Sequence, residues 1–159
     1  MIEPLKIDFL KYQDQLVFKK VDGVVKVLDP IRNKYLVKGP EEIVRQLVIQ
    51  YLTKAKKYRK NGMAVEKMLT VNGLVKRFDI LIYDEHTAPF FLVECKAPSV
   101  RVSEDTFRQI AAYNLSLQVK YLLVTNGINS YCCEMDYQKQ SFEFLQEVPS
   151  FAGQINIGG

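Results

Sequence analysis

The stretch Phe90-Phe91-Leu92-Val93-Glu94-Cys95-Lys96 decides how the rest of the chain is read. Its first four residues are apolar on both faces. That suits a strand lying in the middle of a sheet with both sides covered. Glu94 and Lys96 then stand two apart, so their side chains leave the same face. A carboxylate and an ammonium at the end of so apolar a strand are costly unless paired or put to use. Glu94-Cys95-Lys96 is the only Asp/Glu-x-Lys triplet in the 159 residues. On its own it reads equally as a salt bridge on a sheet face and as a catalytic pair.

Working outward, the pattern predicts strands over Met63–Val71 and Leu74–Tyr83 joined at Asn72-Gly73, a strong hairpin signal. The polar run Asp84 to Pro89 is a turn, and Ala97-Pro98-Ser99 stops the central strand. A helix starts at Pro40, with Glu41 and Glu42 at its positive end, and runs to about Lys57. Ile43, Leu47, Val48, Tyr51 and Leu52 form its apolar face. A second helix is capped by Ser103 and extends through Leu117, with Phe107, Ile110, Ala111 and Leu115 inward. Tyr121–Thr125 is a short buried strand, and Ser130–Met135 with Ser141–Leu145 a more exposed hairpin. The expected fold is α/β, a mixed central sheet flanked by helices. The core domain spans 39–148. An N-terminal extension (1–38) carries one short strand near Val24–Leu28, and a loose tail covers 149–159.

Composition narrows the chemistry. With 48% hydrophobic and 25% charged residues the chain has an ordinary globular profile, and a net charge of +4 is compatible with a nucleic-acid partner without demonstrating one. It has no apolar run long enough for a membrane span and no signal-peptide core, so a cytoplasmic location is expected. Cys95, Cys132 and Cys133 form no C-x-x-C pair, and they are expected as free thiols, semi-buried in strands. The single histidine, His86, lies in the polar turn. Multi-histidine zinc catalysis is thereby excluded, and a histidine-dependent nucleophile would have to use a loop residue.

If the Leu74–Tyr83 strand pairs antiparallel with the central one, Asp79 comes beside Glu94. Two such carboxylates repel unless a divalent cation lies between them, and hard oxygen ligands suit Mg2+ or Mn2+. Such a cation would polarise a phosphate and activate a water, while Lys96 would orient that water or neutralise transition-state charge. Gln109 and Tyr113, four apart on the second helix, face the same way. They read as hydrogen-bond donors to phosphate or to the carboxylates, or equally as a surface Gln beside a half-buried Tyr. Glu42 reads as a further ligand or as a simple helix-dipole residue. The run Lys54–Lys60 serves a DNA backbone or a solvated helix end equally well.

The segments Pro40 to Gln46, Lys76-Arg77-Phe78-Asp79-Ile80-Leu81, Leu92 to Pro98, Gln109 to Asn114 and Thr125-Asn126-Gly127, in this order, resemble the PD-(D/E)xK nuclease superfamily. They are most similar to the N-terminal nuclease domain of type I restriction enzyme R subunits, in the RecB-like branch. The resemblance covers about residues 38–130. It implies a restriction-endonuclease-like core and a Mg-dependent deoxyribonuclease. The metal-binding Asp falls on Asp79, the Glu-x-Lys on Glu94 and Lys96, the Gln-x-x-x-Tyr on Gln109 and Tyr113, and the first-helix acid on Glu42, with Glu66 a further candidate. Phe78 replaces the family's proline. The partners implied are DNA, subunits of a restriction or repair complex, and a second copy of the chain. No G-x-x-x-x-G-K-[ST] loop is present, so a stand-alone relative without the helicase motor is expected. The alternative is a non-catalytic nucleic-acid-binding or assembly module that retains the nuclease fold.

Overall fold

The computed structural model describes residues 2–151. A short 3-10 segment, Phe9–Gln15, precedes three strands, β1 (Phe18–Val21), β2 (Val24–Asp29) and β3 (Lys34–Val37). Helix α1 (Pro40–Lys54) leads into β4 (Met63–Val71), β5 (Leu74–Tyr83) and β6 (Pro89–Cys95). Helix α2 (Glu104–Tyr113) is followed by β7 (Tyr121–Thr125), β8 (Ser130–Asp136) and β9 (Ser141–Phe144). Strands β4 to β9 lie side by side in sequence order in one six-stranded sheet. Every pairing is antiparallel except β6–β7, which α2 connects as a parallel crossover. That parallel pair is at the centre, which is why Phe91–Val93 and all of Tyr121–Thr125 are buried.

Each face of the sheet is covered by one helix. On one side Leu47, Val48 and Leu52 of α1 pack on Ile80, Ile82, Phe91, Val93 and Leu123. On the other, Phe107 and Ala111 of α2 pack on Phe78, Leu81, Leu92, Leu122 and Val124. The mixed sheet flanked by helices is therefore the observed architecture.

At Asn72-Gly73 both residues have positive φ, +51° and +79°, as a type I′ hairpin turn requires. Asp22-Gly23 shows the same pair of angles, +51° and +79°. Residues 18–37 accordingly form a three-stranded antiparallel meander, not an extension with a single strand. The residues before it also belong to the body. Phe9 and Tyr12 are buried against Tyr51 of α1, and Leu5 bridges to Ser130.

Helix α2 ends at Tyr113, short of Leu117. The Asn114 side chain donates to the Ile110 carbonyl, and Leu115–Leu117 continues as a 3-10 turn. The hairpin β8–β9 is less exposed than its composition suggests, since Ser130–Cys133 are buried. All three cysteines are free and fully buried rather than semi-buried. Of the tail, Tyr58 donates to the Pro149 carbonyl at 2.7 Å and Phe151 N–H to the Lys56 carbonyl at 2.7 Å, while residues 152–159 lie outside the described residues. No helix among the described residues is long and apolar enough to cross a membrane.

One irregularity positions the site. Met63 and Val65 of β4 face α1, yet Leu69 and Val71, of the same parity, pack on the α2 side. Between them Glu66 has φ +55°. A left-handed residue inside a strand inverts the pleat, at a cost of about 1–3 kcal/mol. The partner strand changes face at the same level, with Ile80 and Ile82 toward α1 and Phe78 toward α2. Asp79 sits at that crossover.

Candidate active site

Strands β5 and β6 pair with Ile80 opposite Val93. One step further along this register lie Asp79 and Glu94. Their carboxyl groups come within hydrogen-bonding reach of each other, and Asp79 Oδ2 also accepts from the Cys95 backbone N–H at 2.8 Å. The two respond in opposite directions. Burial, then the hydrogen bond and the negative charge of Asp79, push the Glu94 carboxyl up to about 9, against the opposing pull of Lys96. Burial works the same way on Asp79. Hydrogen bonds from Glu94, from Cys95 N–H and from Arg45 reverse it and hold Asp79 below the usual carboxylate range. The pair thus favours ionised Asp79 beside protonated Glu94.

The sequence reading did not single out Arg45, which lies at the centre of the site. This α1 side chain is 6% exposed. Its Nη1 donates to Glu42 Oε1 at 2.6 Å, and its Nη2 donates to Glu66 Oε1 at 2.7 Å and to Asp79 Oδ1 at 2.8 Å. Glu41 is a further 3.5 Å neighbour. Burial opposes its charge, but Asp79, Glu42 and Glu66 together outweigh burial and keep the guanidinium firmly protonated. The Glu41/Glu42–Arg45 spacing is the ordinary i, i+3 or i, i+4 pattern of a surface ion pair. Nothing local in the sequence says that this one is buried.

Glu42, expected as a metal ligand, faces cations of the protein. Besides Arg45 it accepts from Gln46 Nε2 at 3.1 Å and from Arg32 Nη2 at 3.4 Å. Glu66 is shared between Arg45 and Arg77, the latter at 3.3 Å. Among the described residues no three acidic, histidine or cysteine side chains come together as a metal cage. Two buried polar atoms beside the cluster, Arg45 Nε and Gln46 Oε1, have no partner among these residues. Unpaired buried polar atoms cost about 1–3 kcal/mol each, so this corner of the protein is not arranged for stability alone.

Lys96 follows directly on β6. Its backbone N–H donates to the Thr125 carbonyl at 2.8 Å, which fixes it against β7. Its charge acts on Glu94, and among the described residues it forms no ion pair within 4 Å. Asn126 braces the loop beyond it, donating to the Val100 carbonyl at 2.8 Å and accepting from Ile128 and Asn129 N–H. Gln109 and Tyr113 both lie on the exposed face of α2, and Tyr113 is 65% exposed. They make no hydrogen bond to Asp79, Glu94 or Lys96. Tyr113 instead receives Lys76 Nζ over its ring at 4.3 Å and on its backbone carbonyl at 2.7 Å. His86 is exposed in the β5–β6 turn, 3.5 Å from Glu85.

Residues 40–149, from the start of α1 to beyond β9, match the family model of the type I restriction enzyme R protein N terminus (HSDR_N). The chain belongs to that family. Among solved structures, the chain resembles a fragment described as a putative HsdR subunit of a type I restriction enzyme from Vibrio vulnificus YJ016, with a TM-score of 0.50 and 22% identity. The likeness, which concerns the fold, covers 69% of this chain and 23% of that one. The chain thus spans under a quarter of that relative's length. No curated protein matches it. The β1–β3 meander lies before the matched segment, whereas Arg45, Asp79, Glu94 and Lys96 all lie within it.

Proposed function

We propose that this R protein N-terminal domain is a Mg2+- or Mn2+-dependent deoxyribonuclease whose site is Asp79, Glu94 and Lys96, and that it acts with the subunits of a restriction complex. One observation carries the reading. Two carboxyl groups from neighbouring strands meet at the end of β6, one of the two covered central strands, with a lysine two residues on that forms no ion pair among the described residues. The donor set fits a small hard cation, because carboxylate oxygens are the ligands Mg2+ and Mn2+ favour and Asp79 is already ionised. A cation held by Asp79 and Glu94 would supply Lewis-acid polarisation of the phosphate and a more acidic water.

The residues of the chain do the rest. Glu94 must give up its proton to serve as a ligand. Arg45 and the Cys95 N–H hold the Asp79 carboxylate in place, one on each oxygen. Lys96, anchored through its backbone to β7, places a positive charge beside Glu94, where the scissile phosphate gathers negative charge. Gln109 and Tyr113 present donors from the exposed face of α2, available to DNA backbone oxygens.

A second reading, a non-cutting nucleic-acid-binding or assembly module, is favoured by a specific observation. Arg45 already neutralises Glu42, Glu66 and Asp79, which stabilises the cluster without any metal. Incubation with manganese and plasmid or linear DNA separates the two. The nuclease reading expects cutting that stops with a chelator and is absent from Asp79→Asn and Glu94→Gln. If the wild type leaves every substrate intact under these conditions, the second reading stands.

A further inference from the structure

We infer that the β1–β3 meander is a docking surface for the phosphate backbone of DNA, held next to the cutting site. The inference rests on the reading of this domain as one that acts on DNA, and the test below separates the two.

Charge is the first observation. Residues 17–38 contain Lys19, Lys20, Lys26, Arg32, Lys34 and Lys38 against Asp22 and Asp29. Their net +4 equals that of the whole chain, so the remainder balances to zero. Arg32 and Asp29 satisfy each other at 2.8 Å, which leaves five lysines facing Asp22 alone. Among the described residues none of the five forms an ion pair.

The arrangement of these lysines is unfavourable for a sheet alone. Lys19 and Lys26 are direct partners across the β1–β2 ladder. Like charges in that position repel, and a polyanion would turn the repulsion into attraction. Lys19 lies over the Tyr35 ring at 4.0 Å and Lys38 over the Phe18 ring at 5.3 Å, so two of the ammonium groups rest on aromatic faces. A small sheet also needs a buried apolar face to be stable. In this one only Val27 and Asp29 are buried. The meander therefore stands out from the body, basic on both faces, with lysines 20 and 38 leaving the side opposite to lysines 19 and 26. Because phosphate contacts require charge and reach but no fixed base geometry, such a surface suits a DNA backbone.

Its base is tied to the cutting site. Asp29 binds Arg32, Arg32 reaches Glu42 at 3.4 Å, Glu42 binds Arg45, and Arg45 binds Asp79. The other basic stretch, Lys54–Lys60, lies at and beyond the α1 C-terminus, where the helix dipole already favours cations, and its Arg59 stacks over Phe151 at 5.1 Å.

The test is fluorescence anisotropy of a labelled DNA duplex, titrated at several salt concentrations in the presence of a chelator. The wild type should bind with strong salt dependence. The quadruple variant Lys19→Gln, Lys20→Gln, Lys26→Gln, Lys38→Gln should bind about tenfold or more weakly, with the log–log salt slope reduced by roughly 3–4. A comparison variant, Lys54→Gln with Lys57→Gln and Lys60→Gln, should keep the wild-type slope. Lys26→Glu guards against an unfolded quadruple variant. It replaces the Lys19 repulsion by an attraction, so it should melt no lower than the wild type and yet lose DNA affinity. Wild-type affinity and slope in the lysine variants would overturn the proposal. So would a wild type without salt-dependent DNA binding, a result that would assign the meander's exposed valines to a protein partner instead. Cutting with manganese is measured in parallel. Binding without cutting ends the nuclease reading and leaves this surface standing, whereas cutting with unchanged binding in the lysine variants does the reverse.

Discussion

Lys96→Ala should lower DNA cutting by about 10²–10³-fold, the usual effect of removing one preorganised charge from a developing oxyanion. The loss should fall on kcat, because on the proposed reading Lys96 would act where charge appears in the transition state and not where the duplex is held. Lys96 Nζ has no ion pair among the described residues, and the hydrogen bond that fixes the residue is made by its backbone. The variant should therefore fold and melt like the wild type. Glu94 loses the cation that draws its pKa down, so its carboxyl should become harder to ionise. Raising the pH should for that reason recover part of the lost metal binding but none of the lost kcat. An equal loss in KM, or a drop in melting temperature, would make Lys96 a structural residue. That is the salt-bridge reading which the Glu-Cys-Lys triplet also allows.

Arg45→Met should give the largest loss of stability. The substitution keeps much of the volume of the side chain and removes the one cation that touches Glu42, Glu66 and Asp79. Breaking buried ion pairs from one side costs about 3–5 kcal/mol, because a carboxylate is left without its counter-charge; here that is Asp79, since Glu42 keeps Arg32 and Glu66 keeps Arg77. These carboxylates keep some solvent access, with side chains 12–24% exposed, so the lower end applies. A loss of about 3 kcal/mol corresponds to about 6–12 °C in Tm for a domain of this size. Manganese should restore part of that stability, since anything that binds the folded state alone stabilises it. A variant that melts within about 1 °C of the wild type would show that the cluster does not depend on the guanidinium.

The elements that could be read in advance are those whose signal is local. Phe90–Val93 and Leu122–Val124 are apolar throughout, and only the centre of a covered sheet accommodates such strands. Asn72-Gly73 gave its hairpin because positive φ at both positions suits few residue pairs. Asp22-Gly23 carries the same code, but its flanks, Lys19-Lys20 and Lys26, interrupt the apolar alternation that marks a strand. The sequence pattern runs α2 past its true end because Leu115 and Leu117 keep an apolar rhythm after Asn114 has already turned its side chain on the helix end. Within the site, Asp79 and Glu94 could be paired from strand order alone. Arg45 could not, since its i, i+3 and i, i+4 acids are what any exposed helix shows. Nor could Glu66. Its left-handed backbone inverts the pleat, and only the whole sheet reveals that.

The central claim is that Asp79 and Glu94 take up one hard divalent cation by releasing the Glu94 proton. Calorimetric titration of manganese into the protein near pH 7, repeated in buffers of different ionisation enthalpy, tests it most directly. With Glu94 titrating at about 9 in the free protein, it is protonated at neutral pH and must ionise to become a ligand. Binding of one ion is expected with release of about one proton, with affinity that rises as pH increases toward about 9 and is lost in Asp79→Asn. Manganese binding that is unchanged in Asp79→Asn, or the absence of any binding across this pH range, would contradict it.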